Sequence, residues 1–267
     1  MSFVLVDHPV PQVAVITLNR PERMNAMGFD VMVPFRDALL EVGHDNAVRA
    51  VVVTGAGTGF SSGADQESAG VPPHVDGLTR PTYALRAIEM LEDVVLTLRR
   101  LHQPVIAAVN GAAIGGGLCL ALACDLRLAA PAAYFRAAGI NNGLTASELG
   151  LSFLLPRAVG SARAADIMLT GRDVGAEEAE RIGLVSALHD DVVAAAVETG
   201  QRIAAFSQPG IELTKKSLHA GIAASSLETH MTSEGLGQLY LRLLTDNFEE
   251  ATRARKDGRT PTFKDGR

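Results

Sequence analysis

Apolar positions along the chain follow two rhythms: short β-branched runs in the first half, and three-to-four-residue spacing between and after them. Phe3–Val6 and Gln12-Val-Ala-Val-Ile-Thr-Leu18 read as strands, and Asn19–Arg23 turns into a helix expected over Met27–Val42. Val48-Arg-Ala-Val-Val-Val-Thr54 is almost wholly apolar, as in a strand covered on both faces. A Gly-, Ser- and Pro-rich stretch through Pro72-Pro73-His74 follows, of a length usual for functional lids or disordered segments. Pro81–His102 places Leu85, Ile88, Leu91, Val95 and Leu98 on one side of a long amphipathic helix. Pro104–Val109 is a further strand, followed by a helix through Ala123 and two short strands, Leu126–Ala129 and Ala133–Arg136. From Ser147 the pattern is helical: Ser147–Val159, Ala162–Thr170, Ala176–Arg181, Val192–Phe206, Pro209–Ala224 and Leu227–Asp246, the last capped by Ser226. The order predicts an α/β unit followed by helices that serve packing and oligomerisation. No internal repeat or low-complexity tract interrupts it.

Composition narrows the function classes. Hydrophobic residues are 47% of the 267, enough for a substantial core, and 20% are charged. A net charge of −6, with no dense Lys/Arg block before the C-terminal tail, argues against a nucleic-acid partner. The most apolar segment, Pro104–Cys124, is broken by Asn110 and glycines, so no membrane span is expected. The N-terminal residues lack the pattern of a signal peptide. Cys119 and Cys124 stand five apart on one expected helix, which suits neither a zinc pair nor a disulfide. Both are expected as core thiols in a reducing cytoplasm.

Two glycine-rich stretches carry the chemistry: Phe60-Ser-Ser-Gly-Ala-Asp65 and Asn110-Gly-Ala-Ala-Ile-Gly-Gly-Gly117. Each follows an apolar run and leads toward a helix former, a junction that leaves backbone N–H groups free to meet negative charge. Two such groups on one carbonyl oxygen make an oxyanion hole. Two other readings of these glycines are weaker. Gly55-Ala-Gly-Thr-Gly59 lacks the third glycine and the helix of a dinucleotide fingerprint. Gly59-Phe-Ser-Ser-Gly63 resembles a nucleophile elbow, but Ser61 lies well beyond its strand and a lid-like segment follows.

Together with further segments, these stretches resemble the enoyl-CoA hydratase/isomerase (crotonase) family over essentially the whole chain. The matching residues are Ile16-Thr-Leu-Asn-Arg-Pro-Glu-Arg-Met-Asn-Ala26, the two glycine stretches, Cys124-Asp-Leu-Arg127, and Met168-Leu-Thr-Gly171 through Ala179–Val185. The resemblance implies a spiral of ββα units over residues 1–200 with an α-helical oligomerisation region over 201–267, assembled as a trimer or dimer of trimers. It implies an acyl-CoA substrate and no metal or redox cofactor, with coenzyme A entering as part of the substrate. By the same resemblance the N–H groups of Ala64 and Gly116 grip the thioester carbonyl, beside Gly115. Arg23, Met24 and Asn25, with Ser62, Gly63, Asp65 and Gln66, would contact the CoA moiety, largely through backbone groups. Lys256 and Phe263 would reach the CoA of a neighbouring subunit.

The resemblance breaks where hydratases carry two glutamates. At those positions this chain has Cys119 and Gly139. One acid remains nearby, Glu148 in Leu144-Thr-Ala-Ser-Glu-Leu149, where isomerase and dehalogenase branches carry a catalytic aspartate. Two roles are open for it: a proton-transfer group with a pKa raised by an apolar pocket, or a first-turn helix residue behind a Thr145 or Ser147 cap. Arg136 is a candidate partner for Glu148 or a substrate carboxylate, or a strand-end charge. Asn141 and Asn142 read as turn formers, His74 as a solvated lid residue, and Asp65 as a loop anchor rather than a base. Leu85–Leu91 and Leu144–Leu154 are expected to line an acyl tunnel. The expected function is enolate chemistry on an acyl-CoA: nominally hydration, equally an isomerisation with Glu148 alone, with a non-catalytic acyl-CoA binder as the rival.

Overall fold

The computed structural model describes residues 2–264. Strands β1 (Val4–Val10) and β2 (Val13–Leu18) form an antiparallel pair, then α1 (Phe29–His44) crosses to β3 (Ala50–Gly55). After β4 (Gly59–Ser61) and a long loop come α2 (Arg80–Arg100), β5 (Val105–Val109), β6 (Ala112–Ile114), α3 (Gly116–Ala123), β7 (Leu126–Ala129) and β8 (Tyr134–Arg136). The rest is α4 (Leu151–Val159), α5 (Ser161–Thr170), β9 (Val174–Gly175), α6 (Ala176–Arg181), β10 (Ala187–Leu188), α7 (Val192–Ala204), α8 (Gln208–Ala223), α9 (Leu227–Leu244) and α10 (Asn247–Asp257).

Among the described residues the strands make two sheets. One is six-stranded in the order β1-β2-β3-β5-β7-β10, and the other is four-stranded in the order β4-β6-β8-β9. β2, β3, β5 and β7 run parallel, which explains their continuous apolar sequences: both faces are covered. Alternate residues serve different cores. Ile16, Val51, Val53 and Ala107 face the main core with α1, α2 and α3, while Val15, Val52 and Ile106 face a smaller one under α7.

Each paired unit contributes a strand to each sheet, β3/β4 and β5/β6 being successive examples, so the chain winds as repeated ββα turns. The smaller sheet brings the loop after β4 beside the loop after β6, because β4 and β6 are parallel neighbours. α3 starts at that junction and is buried along its whole length.

Three expectations are corrected. The apolar side expected along Pro81–His102 is buried only in its second half: Leu85 is 59% and Ile88 42% exposed, whereas Val94, Val95 and Leu98 are buried. The helix expected from Ser147 begins only at Leu151. The last expected helix ends at Leu244, and a separate α10 follows that its polar sequence did not announce.

Lys215 gives the C-terminal helices a buried tie to the unit. Lys215 of α8 lies 6% exposed with its Nζ 2.8 Å from Asp125 Oδ2, and it donates to the Gln103 carbonyl at 2.8 Å. His219, one turn on, meets Asp125 Oδ1 at 2.7 Å. No residue of α9 is buried, and its Leu236, Leu239, Leu243 and Leu244 are exposed. Among the described residues, no helix is long and apolar enough to cross a membrane.

Candidate active site

The site assembles where the loop after β4 meets the N-terminus of α3. Met27 forms a parallel bridge with Ala64: its N–H donates to the Gly63 carbonyl at 2.7 Å, and its carbonyl accepts from Asp65 N–H at 3.4 Å. That pairing turns the Ala64 N–H away from Met27, and among the described residues it finds no protein acceptor. Gly116 is the first residue of α3, so its N–H has no intrahelical partner either. The two loops touch: a Cβ on Gly63 would lie 2.5 Å from the Ile114 carbonyl oxygen and 3.1 Å from the Gly116 nitrogen. Gly115, which caps α3, sits at φ 52 and ψ −118, a conformation side chains disfavour. Its own N–H is anchored to the Arg136 carbonyl at 2.8 Å.

Glu148 stands over this junction. A Cβ on Gly115 would come within 3.2 Å of its Oε1. The residue lies outside any helix. Leu149 (φ 45) and Gly150 (φ 83) carry left-handed turns that hold Glu148 ahead of α4, and Leu151 N–H closes the turn on its carbonyl at 2.7 Å. The first-turn reading is therefore excluded; Thr145 Oγ1 accepts from Ser147 N–H, which forms a local turn rather than a helix cap. Burial alone pushes the Glu148 carboxyl above the ordinary carboxylate range, with no compensating partner. Arg136 is not its partner, since its Nε and Nη2 donate to the two Asp173 carboxylate oxygens, at 2.6 and 2.7 Å.

Cys119 lies beneath the same turn, fully buried, with Sγ 3.5 Å from the Glu148 carbonyl. Burial first, and the Glu148 charge second, raise its thiol far beyond any useful acid–base range. At Gly139 a Cβ would fall 2.1 Å from the Thr145 carbonyl oxygen, so the loop closes on a position that admits no side chain.

The remaining expected residues divide by role. Asp65 is buried and accepts from Arg20 and Arg23 and from the backbone of Glu67 and Ser68. Burial works to raise its pKa, but those N–H groups and the two guanidinium charges outweigh it and hold the carboxyl low. It anchors the loop. Asn25 is fully buried and spends its amide on the Ala56, Gly59 and Phe60 carbonyls. Ser61 is buried too; its hydroxyl donates to the Asn25 carbonyl and accepts from Gly63 N–H, which removes it as a nucleophile. Met24 (44% exposed), Ala64 and Gln66 remain accessible along this rim, with Arg23 and Ser62 partly so. Lys256 and Phe263 lie apart: Phe263 lines a groove with Phe248 and Leu239 in the C-terminal helices, and Lys256 is exposed on α10. Asn141 donates to the Gly171 carbonyl, a turn contact.

Met27 escaped sequence reasoning. Besides bridging Ala64, its Sδ fills the space a Gly116 Cβ would take, at 2.6 Å. Its place two residues after buried Asn25 was the available signal. Among the described residues no group of three or more His, Cys, Asp or Glu is arranged to hold a metal.

Two N–H groups at touching loops, one at a helix N-terminus, with a carboxyl above them, define an enzyme class that polarises a carbonyl and moves a proton beside it. Comparison makes the class specific. The family model described as enoyl-CoA hydratase/isomerase matches residues 10–266. The chain is 68% identical over 267 residues to a Mycobacterium tuberculosis protein named "Probable enoyl-CoA hydratase EchA12", covering 99% of this chain and 94% of that one. A crystal structure of "a probable enoyl-CoA hydratase/isomerase" from Mycobacterium abscessus shares 67% identity, covers 100% of both chains and superposes with a TM-score of 0.95. One described as a monofunctional enoyl CoA isomerase from M. smegmatis shares 60% identity, covering 86% of this chain and 99% of that one, with a TM-score of 0.74. The chain belongs to the enoyl-CoA hydratase/isomerase family, and it is an acyl-CoA-transforming enzyme of the crotonase fold.

Proposed function

We propose that the protein is an enoyl-CoA double-bond isomerase in which Glu148 is the sole proton carrier. The observation that carries this reading is the half-buried Glu148 carboxyl, 3.2 Å from the Cβ position of Gly115 and without an ion-pair partner among the described residues, next to the Gly116 N–H. The thioester oxygen of a 3-enoyl-CoA accepts hydrogen bonds from Ala64 and Gly116 N–H, which makes the α-proton acidic. Glu148, ionised, takes that proton, and the electron pair moves onto the thioester oxygen as an enolate. The same carboxyl then returns the proton to the γ-carbon, and the double bond shifts into conjugation. One acid suffices because the α- and γ-carbons of the planar dienolate can both be reached from the same face.

Hydration needs a second acid–base group to hold and split a water. The positions that correspond to hydratase glutamates carry Cys119, whose thiol is buried and raised, and Gly139, whose surroundings exclude a side chain. The M. smegmatis isomerase at 60% identity supports the same choice. CoA contacts along Arg23–Asn25 and Ser62–Gln66, and a homotrimer in which α9 is covered and Lys256 and Phe263 meet a neighbour's CoA, belong to this proposal; the exposed leucines of α9 support the assembly.

The test is a pair of assays. Purified protein with a 3-enoyl-CoA should generate the absorbance of a conjugated thioester, and crotonyl-CoA should keep its absorbance under the same conditions. Glu148→Gln should remove at least 10²-fold of the isomerisation, the lower bound for a general acid–base group. Robust loss of crotonyl absorbance overturns the choice of isomerase over hydratase. Binding of all thioesters without turnover leaves a non-catalytic binder.

A further inference from the structure

A cavity of about 170 Å³ lies at the end of α3 opposite the oxyanion loops, between α2, α4 and α8. With α3 eight residues long, the two sites stand roughly 12 Å apart along its axis. Arg99, Arg127, Arg157 and His219 line the cavity, and the Lys215 ammonium stands behind it on the shared Asp125. Asp125 is the one carboxylate in the lining, and it is already taken. Its Oδ1 meets His219, and its Oδ2 meets Lys215 and accepts from Val105 N–H at 2.8 Å.

Among the described residues, none of the three guanidinium groups forms an ion pair with a carboxylate. Arg127 donates to the Leu184 and Cys124 carbonyls, and Arg157 donates to the Phe153 carbonyl and stacks on that ring. Arg99, half-buried, has no hydrogen-bond acceptor or ion-pair partner among the described residues. Burial depresses its pKa against a partial offset from the Asp125 charge, and the Arg99 charge in turn works to depress those of Arg127 and Lys215, which share the same carboxylate. Such an excess of partly desolvated cation is unfavourable until a counter-charge is present, and guanidinium forks match oxoanions.

We propose that this cavity is an oxoanion-binding site that takes the phosphate or carboxylate group of a small acid, with Arg99 as its unpartnered donor. The volume exceeds the roughly 30 Å³ share of one water several-fold, so a tetrahedral anion fits with room for part of its carrier. Aliphatic walls at Leu154 and Leu218 would face the carrier.

Thermal unfolding of the full chain tests it. Inorganic phosphate and succinate are titrated separately at constant ionic strength, with saturating coenzyme A present to occupy the nucleotide contacts of the active site. One of the two anions should raise Tm progressively with the logarithm of its concentration, and the response should vanish in Arg99→Leu. Arg157→Leu alters an exposed side chain and serves as the second variant if Arg99→Leu fails to fold. A stronger response to phosphate identifies a phosphorylated ligand, and a stronger one to succinate a carboxylate. If neither anion exceeds chloride, or the response persists undiminished in both variants, the site is overturned.

Discussion

Replacing Asp125 with alanine tests how the C-terminal helices are held. The carboxylate faces the Lys215 ammonium and the His219 ring on α8 and the Val105 N–H, all between 2.7 and 2.8 Å. Its loss leaves the Lys215 ammonium, 6% exposed, with only the neutral Gln103 carbonyl. Breaking a buried pair from one side costs about 3–5 kcal/mol, and an orphaned buried N–H adds about 1–3 kcal/mol when unrelieved. The contributions overlap, so Asp125→Ala should cost about 4–5 kcal/mol, a large part of the roughly 5–15 kcal/mol that holds a domain folded. Lys215→Met should cost less, because Asp125 keeps His219 and Val105 N–H and the methionine stem fills the same channel. The double variant should lose clearly less than the sum of the singles, since the isolated ammonium is then gone.

The assay is urea unfolding followed by far-UV circular dichroism near pH 7.5, at one protomer concentration so that assembly contributes equally. A cost for Asp125→Ala under about 1 kcal/mol is what an exposed ion pair would give, and it would refute the latch. The pH sense is also fixed. Burial raises the Asp125 pKa, but His219 and Lys215 outweigh it and leave it below the ordinary range. Its stabilisation is therefore fully present above the unfolded carboxylate pKa of about 3.9, and is lost as pH falls through the lower folded value. The part of the gap between wild type and variant that comes from the Asp125 charge should close only as pH falls below the ordinary carboxylate range.

Three further outcomes follow from the site and the exposed helix. Because burial raises the Glu148 pKa and the base must be ionised, the acidic limb of kcat/KM for isomerisation should sit above the ordinary carboxylate range; a rate that stays flat down to about pH 4 contradicts that role. Gly139→Glu, alone or with Cys119→Glu, should not create hydration of crotonyl-CoA, because its Cβ meets the Thr145 carbonyl at 2.1 Å; it should instead lower Cm in urea by the equivalent of about 1–3 kcal/mol, and appearance of hydratase turnover would show that the loop yields. Leu236→Asp, on the 64% exposed face of α9, should leave the circular dichroism spectrum intact and reduce the mass measured by light scattering; an unchanged mass removes α9 from the interface.

The sequence revealed the parts of the fold that depend on long apolar runs. β2, β3 and β5 are continuous stretches buried on both faces, and their patterns marked them within a residue or two. β4 and β6 are three residues each and take their identity from pairing with each other, so no local pattern announces them. α10 was missed for a different reason. Asn247 and Ala254 are its only buried residues among those described, and charge contacts help define its end: Arg259 and the Thr262 N–H hold the Glu250 carboxyl, down to about 2. The first half of α2 misled in the opposite direction. Its apolar stripe is regular, yet Leu85 and Ile88 face outward, as a lid or partner surface would.

Three acids show why the site itself was only half legible. Asp65, Asp125 and Glu148 are the same chemistry in sequence, and burial pushes each toward the neutral form. What separates them is who else arrives. Asp65 meets Arg20 and Arg23 from another loop, and Asp125 meets Lys215 and His219 from a helix far along the chain. Both are locked as anions and serve structure. Glu148 forms no ion pair among the described residues: Arg136, the partner that the sequence suggested, is held by Asp173. The left-handed pair Leu149 and Gly150 also keeps it out of α4, where it would have faced a helix N-terminus that favours the charged form. A carboxyl whose pKa burial raises, left without a counter-ion beside two unsatisfied N–H groups, is the one that the proposed function uses to exchange a proton. That distinction rests on partners up to 94 residues away in the chain, which no local motif contains.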